Sequence, residues 1–437
     1  MKSFSSTSFA GQPSDVLDRA IAAVRKNPQA LFTDFQWYLY QAQNTVYFNA
    51  FSEKSFDKDG LTNLVAEMVS LAPQLTHGFV GARPGQPFAK HLLDAITEIR
   101  EVDDFDGYPD AWLEPGLDLF DTKDLPLFRV MAAVRRGGPD AEGRASLIMV
   151  RSSHALLEGS DSALLTRSQS AAHGSMSSQD NKVAAGDRLK YKALAWLTTP
   201  LHMLSAHLLS PKEKEMGFRT LAISRHRLRL LASKIGVRQR SLMFALVTHA
   251  LNGKDKALDK RVIAAAYTML DSQRHDADDD FFRVRALDAR FPVIEDFVAY
   301  CRAIDETVGQ VEQKDITKMQ FMLNATFKLH RQLHKVFPFL YNKRFWRFSG
   351  PYDVVLTLVP PHRMYGNMTN GMMEPVYCGS YHPGTNLCAF VPGRKFVTFN
   401  FSMETRHLGN VDKVMALLEE TEARDIAPAE RAPVEAE

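Results

Sequence analysis

Long apolar runs are missing from this chain of 437 residues, and so is a surplus of either charge. No stretch reaches the roughly 18 consecutive apolar residues of a membrane-spanning helix, so none is predicted. The 53 Lys+Arg nearly cancel the 51 Asp+Glu, and 45% of residues are hydrophobic. That excludes a disordered polyelectrolyte. Three cysteines, Cys301, Cys378 and Cys388, lie too far apart for a CxxC pair. A disulfide scaffold and a zinc ribbon are thereby excluded, and buried reduced thiols are expected. P-loop, dinucleotide fingerprint and G-x-S-x-G are all absent, which excludes the commonest nucleotide and serine-hydrolase sites. The opening MKSFSSTSFAGQPSD has no apolar core, so a cytoplasmic protein is expected.

Several features are present in their place. Charge is segregated along the chain. Met216 to Lys254 holds eight Lys/Arg and no acid, Ile316 to Tyr352 holds seven Lys/Arg and no acid, and Asp94 to Asp124 holds eleven acids. Three solvated faces would explain this. A surface for an anion, assembled from the two basic stretches, is the sharper expectation.

The Ser-rich residues 1–13 and the Pro/Ala/acid-rich 425–437 are expected to be disordered. The small, polar stretch Ser168 to Gly186 reads as a linker. The predicted organisation is an N-terminal lobe over 14–167, a crossover loop and amphipathic segment over 168–215, and a C-terminal lobe over 216–424. Within these, apolar spacing predicts helices at Leu61 to Ala72, Leu228 to Ile235, Leu242 to Leu251 and along the stripe Ile294 to Val311. A last helix is predicted after Asn410, capped by its side chain. Strands are predicted at Val354 to Val359, Leu387 to Val391 and Phe396 to Phe401. Phe128 to Val134 and Ser146 to Arg151 flank the turn signal RRGGPDAEG and predict a hairpin. SLIMVR is apolar on both faces, as a covered central strand requires. Mixed α/β in two lobes is the expected class.

The segment with chemical promise is RSSHALLEGSDSALL, Arg151 to Leu165. His154 falls where the chain leaves the central strand, Glu158 and Gly159 follow, and Asp161 fits a helix N-cap. An imidazole on such a loop, backed by a carboxylate, suits general-base work near neutral pH. Glu158 can hold the loop or the tautomer, and Gly159 permits a tight turn. His-x-x-x-acid-Gly arises by chance about 0.09 times in a chain of this composition, so a structural histidine remains the competing reading.

SHALLEG resembles the HHxxxDG motif of the CoA-dependent acyltransferases, within them the wax ester synthase/diacylglycerol acyltransferase branch. Phe56 to Leu75, Asp118 to Val134 and Phe218 to Leu251 are similar to segments of that family, so the resemblance runs weakly from about residue 30 to residue 420. Ser153 replaces the first histidine, His154 matches the second, and Glu158 replaces the aspartate. Arg240-Ser241 stands where the family has Asn-Asp, and LTLVPP (Leu356 to Pro361) where it has a NVPGP strand. The resemblance implies a chloramphenicol-acetyltransferase-like fold of two pseudo-symmetric mixed-sheet lobes around a central tunnel. It implies acyl transfer from acyl-CoA, a co-substrate rather than a resident cofactor, to a hydroxyl or amine of a hydrophobic acceptor, with His154 as base. Arg238, Arg240, Lys343 and Arg344 are the residues expected to meet the CoA phosphates. A non-catalytic binding or assembly relative, and transfer from a carrier-protein thioester, are the alternatives.

Lys192 to Leu209 is apolar, with Trp196 and few charges. It reads either as a buried helix around Pro200 or as a segment resting on a membrane. His330 and His334 have metal-ligand spacing, but Lys328, Arg331 and Lys335 surround them, so a basic helix face and no metal site is expected. HDADDD (His275 to Asp280) lacks the glycine and bidentate glutamate of a calcium loop. FPFLYNKRFWRF (Phe337 to Phe348) is expected to be core with a rim, not a nucleic-acid surface.

Overall fold

The computed structural model describes residues 34–42, 44–71, 79–80, 83–84, 96–105, 128–156, 185–209, 215–252, 262–270, 284–313, 317–346, 352–358, 372–382, 384–393 and 395–426. Along the first half run α1 (Asp34–Gln41), β1 (Thr45–Ser52), α2 (Lys58–Leu71), the short strands β2 (Phe79–Val80) and β3 (Arg83–Pro84), β4 (Thr97–Val102), β5 (Phe128–Arg135), β6 (Ser146–Ser153) and α3 (Ala185–Leu209). The second half runs β7 (Met216–Ser224), α4 (Arg225–Ile235), α5 (Gln239–Leu251), β8 (Val262–Leu270), β9 (Val284–Pro292), α6 (Phe297–Glu312) and α7 (Thr317–Val336). After these come α8 (Lys343–Trp346), β10 (Val354–Leu358), β11 (Met372–Tyr381), β12 (Leu387–Pro392), β13 (Phe396–Glu404), α9 (Thr405–Leu408) and α10 (Asp412–Ala423).

Two larger mixed sheets organise these elements. The first has the order β11-β1-β6-β5-β4 and the second β7-β13-β12-β10-β8-β9. In the first only β4 and β5 run parallel. In the second β10 runs parallel to both β12 and β8. The chain passes to the second sheet at β7, yet β11 returns to pair with β1. Sheet membership therefore does not follow chain order.

Local chemistry explains the hairpin. The β5–β6 turn places Gly137 and Gly138 at φ 81° and 91°, a left-handed region that favours glycine. Asp140 then accepts the backbone N–H groups of Glu142 and Arg144 at 2.9 Å each. β6 lies third of five strands and is buried along its whole length, as its two-sided apolar pattern predicts.

The second lobe buries its core between its sheet and helices α4 to α6. Phe244, Phe390 and Phe399 pack ring to ring at 5.6 and 4.9 Å. The α6 stripe of Phe297, Cys301, Ile304, Val308 and Val311 faces them, buried. Ser224 caps α4 and Asp296 caps α6, each accepting a first-turn N–H. Asn410 does not cap α10: Val411 occupies the N-cap, and no side-chain bond is made there.

Candidate active site

Strand order brings the site together. β1 runs antiparallel to both β6 and β11, so those two strands end at the same edge of the sheet. Thr45 pairs with Ser153 on one side and with Tyr381 on the other. One step further along, Asn44, His154 and His382 gather at the edge. The backbone N–H of His154 donates to the Asn44 carbonyl at 2.8 Å, which extends the ladder by one bond.

Ser153 holds the turn beyond the strand. It is wholly buried, its Oγ accepts the Ala155 N–H at 3.2 Å, and its carbonyl accepts the Leu156 N–H at 2.9 Å. The serine thus fixes how the chain departs from β6. His154 is half-buried, while Ala155 and Leu156 behind it are fully enclosed.

His382 is the residue that sequence reading missed. Its ring lies edge-on to that of His154, centroids 5.8 Å apart at 74°. His382 Nε2 sits 3.2 Å from Ser380 Oγ, and its carbonyl accepts the Thr385 N–H. Burial, with the nearby His154 ring, pushes the His382 imidazole down to about 3. It is neutral at physiological pH. Only a signal linking residue 382 to residue 154 would have found it, and 228 positions of chain separate them.

The face of this sheet turned to the second lobe carries Tyr47 and Tyr381, which pack on Met216 and Phe218 of β7. Tyr47 and Phe218 meet edge to face at 6.2 Å. Side chains alternate along a strand, so Asn49 and Arg151 share that face, and both are buried. Neither amide atom of Asn49 has a hydrogen-bond partner among the described residues. Such a group costs on the order of 1–3 kcal/mol unless something satisfies it.

Glu158 and Gly159 lie outside the described residues, as do the linker Ser168 to Ala184 and HDADDD. Lys343 and Arg344 fall on α8, and their side chains are likewise outside the described part.

The structure places Arg238 and Arg240 against α6. Arg238 Nε donates to Asp305 Oδ1 at 2.7 Å and its Nη1 to Glu312 Oε2 at 3.0 Å, while Arg240 Nη2 reaches the same Glu312 oxygen at 2.6 Å. Ser241 Oγ adds a bond to Asp305 at 2.6 Å. Burial raises the Asp305 carboxyl, but the bonds from Ser241 and Arg238 outweigh it and hold the group below its ordinary range. Both guanidinium groups face the carboxylates of α6. Arg219 pairs likewise with Asp412, and Arg227 with Glu422 at 2.7 Å. Four basic residues of the stretch Met216 to Lys254 thus pair with carboxylates of their own lobe.

His330 and His334 do not form a basic helix face. His330 is 1% exposed, its Nδ1 lies 3.0 Å from Tyr341 Oη, and its ring is 5.3 Å from His202 of α3. His334 packs edge-on against Trp37 and Tyr341. Burial, with His202 nearby, pushes His330 down to about 3. Tyr341 and Phe345 are buried whereas Phe337 and Phe339 are exposed, the core and rim expected of that segment. Among the described residues no cluster of ligands suited to a metal ion occurs.

No protein-family model matches the sequence, and no curated protein sequence matches it. Solved structures do. The first condensation domain of the CDA synthetase superposes with a TM-score of 0.55 at 13% identity, over 94% of this chain and 96% of that one. The starter condensation domain of rhizomide synthetase, a mutant solved with C8-CoA and Leu-SNAC, gives 0.51 at 9% identity over 94% of each chain. A wax ester synthase/diacylglycerol acyltransferase from Marinobacter aquaeolei VT8 gives 0.48 at 14% identity over 87% of this chain and 93% of that one, too slight a likeness to carry argument. At such identities the likeness establishes architecture. The chain has the two-lobed, mixed-sheet fold of those condensation domains.

Proposed function

We propose that the protein is an acyltransferase in which His154 is the general base. The observation that carries this reading is the placing of His154 at the exit of the central strand, partly exposed, with the His382 ring edge-on to its own. The acceptor's O–H or N–H gives its proton to His154 as the oxygen or nitrogen attacks the thioester carbonyl. The new C–O or C–N bond forms, the C–S bond breaks, and the proton passes from the imidazole to the departing thiolate. No acyl-enzyme is required. Because His382 stays neutral, it adds no repulsion when His154 becomes cationic.

The donor proposed is a fatty acyl-CoA, and the acceptor a hydroxyl or amine of a hydrophobic molecule. With Arg238 and Arg240 engaged by Asp305 and Glu312, Lys343 and Arg344 are left as the proposed contacts for the CoA phosphates. A second reading, transfer from a carrier-protein thioester, is favoured by one observation: both structures named above with a TM-score over 0.5 are condensation domains.

The test is to incubate pure protein with radiolabelled palmitoyl-CoA and a lipid extract, beside His154→Ala. A labelled product that the variant fails to make supports the proposal. Equal product from both removes His154 from the mechanism. Product from a carrier-bound thioester alone selects the second reading, and no product from any donor favours a non-catalytic binding protein.

A further inference from the structure

Helix α3 is amphipathic the wrong way round for a helix exposed to water. Its inner side, Ala195, Thr199, Met203 and Ala206, is buried. His202 reaches the His330 ring of α7, and Met203 Sδ lies 3.9 Å from Tyr341 Oη. The outer side carries Leu189, Leu194, Trp196, Leu197, Leu201, Leu204 and Leu208, each between 38% and 73% exposed. At about 100° per residue these seven side chains sweep an arc of roughly 160°, with the buried residues on the opposite arc. Among the described residues nothing packs over this stripe to hide it, for α7 covers the other side.

Exposed apolar side chains also occur beyond the helix. Val336, Phe337 and Phe339 stand exposed on the turn that leads from α7 to Tyr341. Scattered exposed leucines need no explanation, but a contiguous set of large apolar side chains marks an interaction surface.

Charge identifies the partner. Between Ala193 and Leu209 the helix has no Asp, Glu, Lys or Arg, whereas Arg188, Lys190 and Lys192 crowd its first turns. α7 bears no acid at all, and its Lys328 and Lys335 are exposed. An apolar face with a tryptophan and a fringe of cations is the signature of a helix lying in the interface of an anionic bilayer. A second copy docked on the same face would bring from α3 no carboxylate other than Asp187 to meet those cations. Among the described residues no helix is long and apolar enough to cross a membrane, so the contact is peripheral.

We infer that the outer face of α3, with the Val336–Phe339 turn, is a docking surface for an anionic lipid bilayer. This does not rest on the acyltransferase reading, since it depends on no residue of the His154 site.

Flotation of the full chain with phosphatidylcholine vesicles, with and without phosphatidylglycerol, tests it at low and high salt. Wild type is expected to float with the anionic vesicles, more weakly in high salt. Leu197→Glu/Leu201→Glu should lower the partition by about tenfold or more, since it removes two inserted side chains. Lys190→Glu/Lys192→Glu should abolish the preference for anionic lipid. Both pairs are exposed, and an unchanged melting temperature and light-scattering mass confirm intact variants. Wild type that fails to float, variants that float as well as wild type, or a wild-type dimer that Leu197→Glu/Leu201→Glu converts to monomer would each overturn the inference.

Discussion

Ser153, with no exposed surface, decides how His154 leaves the sheet. Its hydroxyl accepts the Ala155 N–H, so Ser153→Ala removes that bond while keeping the volume. A loss of about 1 kcal/mol in stability is expected, read by chemical denaturation. His154→Ala should lower acyl transfer by about a hundredfold or more, because base catalysis contributes on that order. If the His382 ring positions that of His154, its substitution should behave differently. His382→Ala should lower kcat by about tenfold with little change in KM, and His382→Gln, which stays neutral and polar, should recover part of the loss. A rise in KM with unchanged kcat would instead assign His382 to substrate binding.

At the scale of the element, α5 and α6 are joined by Arg238, Arg240, Ser241, Asp305 and Glu312, a network less than one-third exposed. Arg238→Ala leaves Asp305 and Glu312 with fewer partners, and after allowance for solvent screening a loss of about 2 kcal/mol is expected. Two histidines, His330 at the α3–α7 contact and His382 just past β11, predict a pH response. His330 and His382 have folded values pushed to about 3, below the ordinary histidine value. The unfolded chain therefore binds more protons between about pH 6.5 and pH 3, and stability falls as pH drops through that window. The slope is about 1.4 kcal/mol per pH unit for each proton. His330→Phe should flatten the slope in urea titrations at neutral and mildly acidic pH. An unchanged slope would show that His330 is not held neutral.

Across the whole molecule, β11 ties the second half of the chain to the first sheet. Gly379 sits on it opposite Tyr47, and a Cβ there would lie 2.5 Å from Tyr47 Oη and 2.9 Å from Cζ. The ring that also touches Phe218 would have to move. Gly379→Ala should cost about 1–3 kcal/mol, and Tyr47→Leu in the same chain should return part of it. Additive losses would show that the two positions do not press on each other.

What residue order determined was whatever depends on near neighbours. β6 is legible because SLIMVR has no polar face, the hairpin because glycines mark its turn, and α6 because its stripe repeats at helical period. The place of His154 follows from the end of β6. What tertiary structure decided was whatever depends on strand order and on distant charge. His382 comes beside His154 only because β1 pairs with both β6 and β11. Arg238 and Arg240 look like free cations until α6 brings Asp305 and Glu312 to them from more than 60 positions away. The same holds for α3: its composition marks it as apolar, but only the packing of α7 determines which side is left to the solvent. Hydrophobic period is a local property of a chain, whereas electrostatic partners and exposed faces belong to the assembled fold.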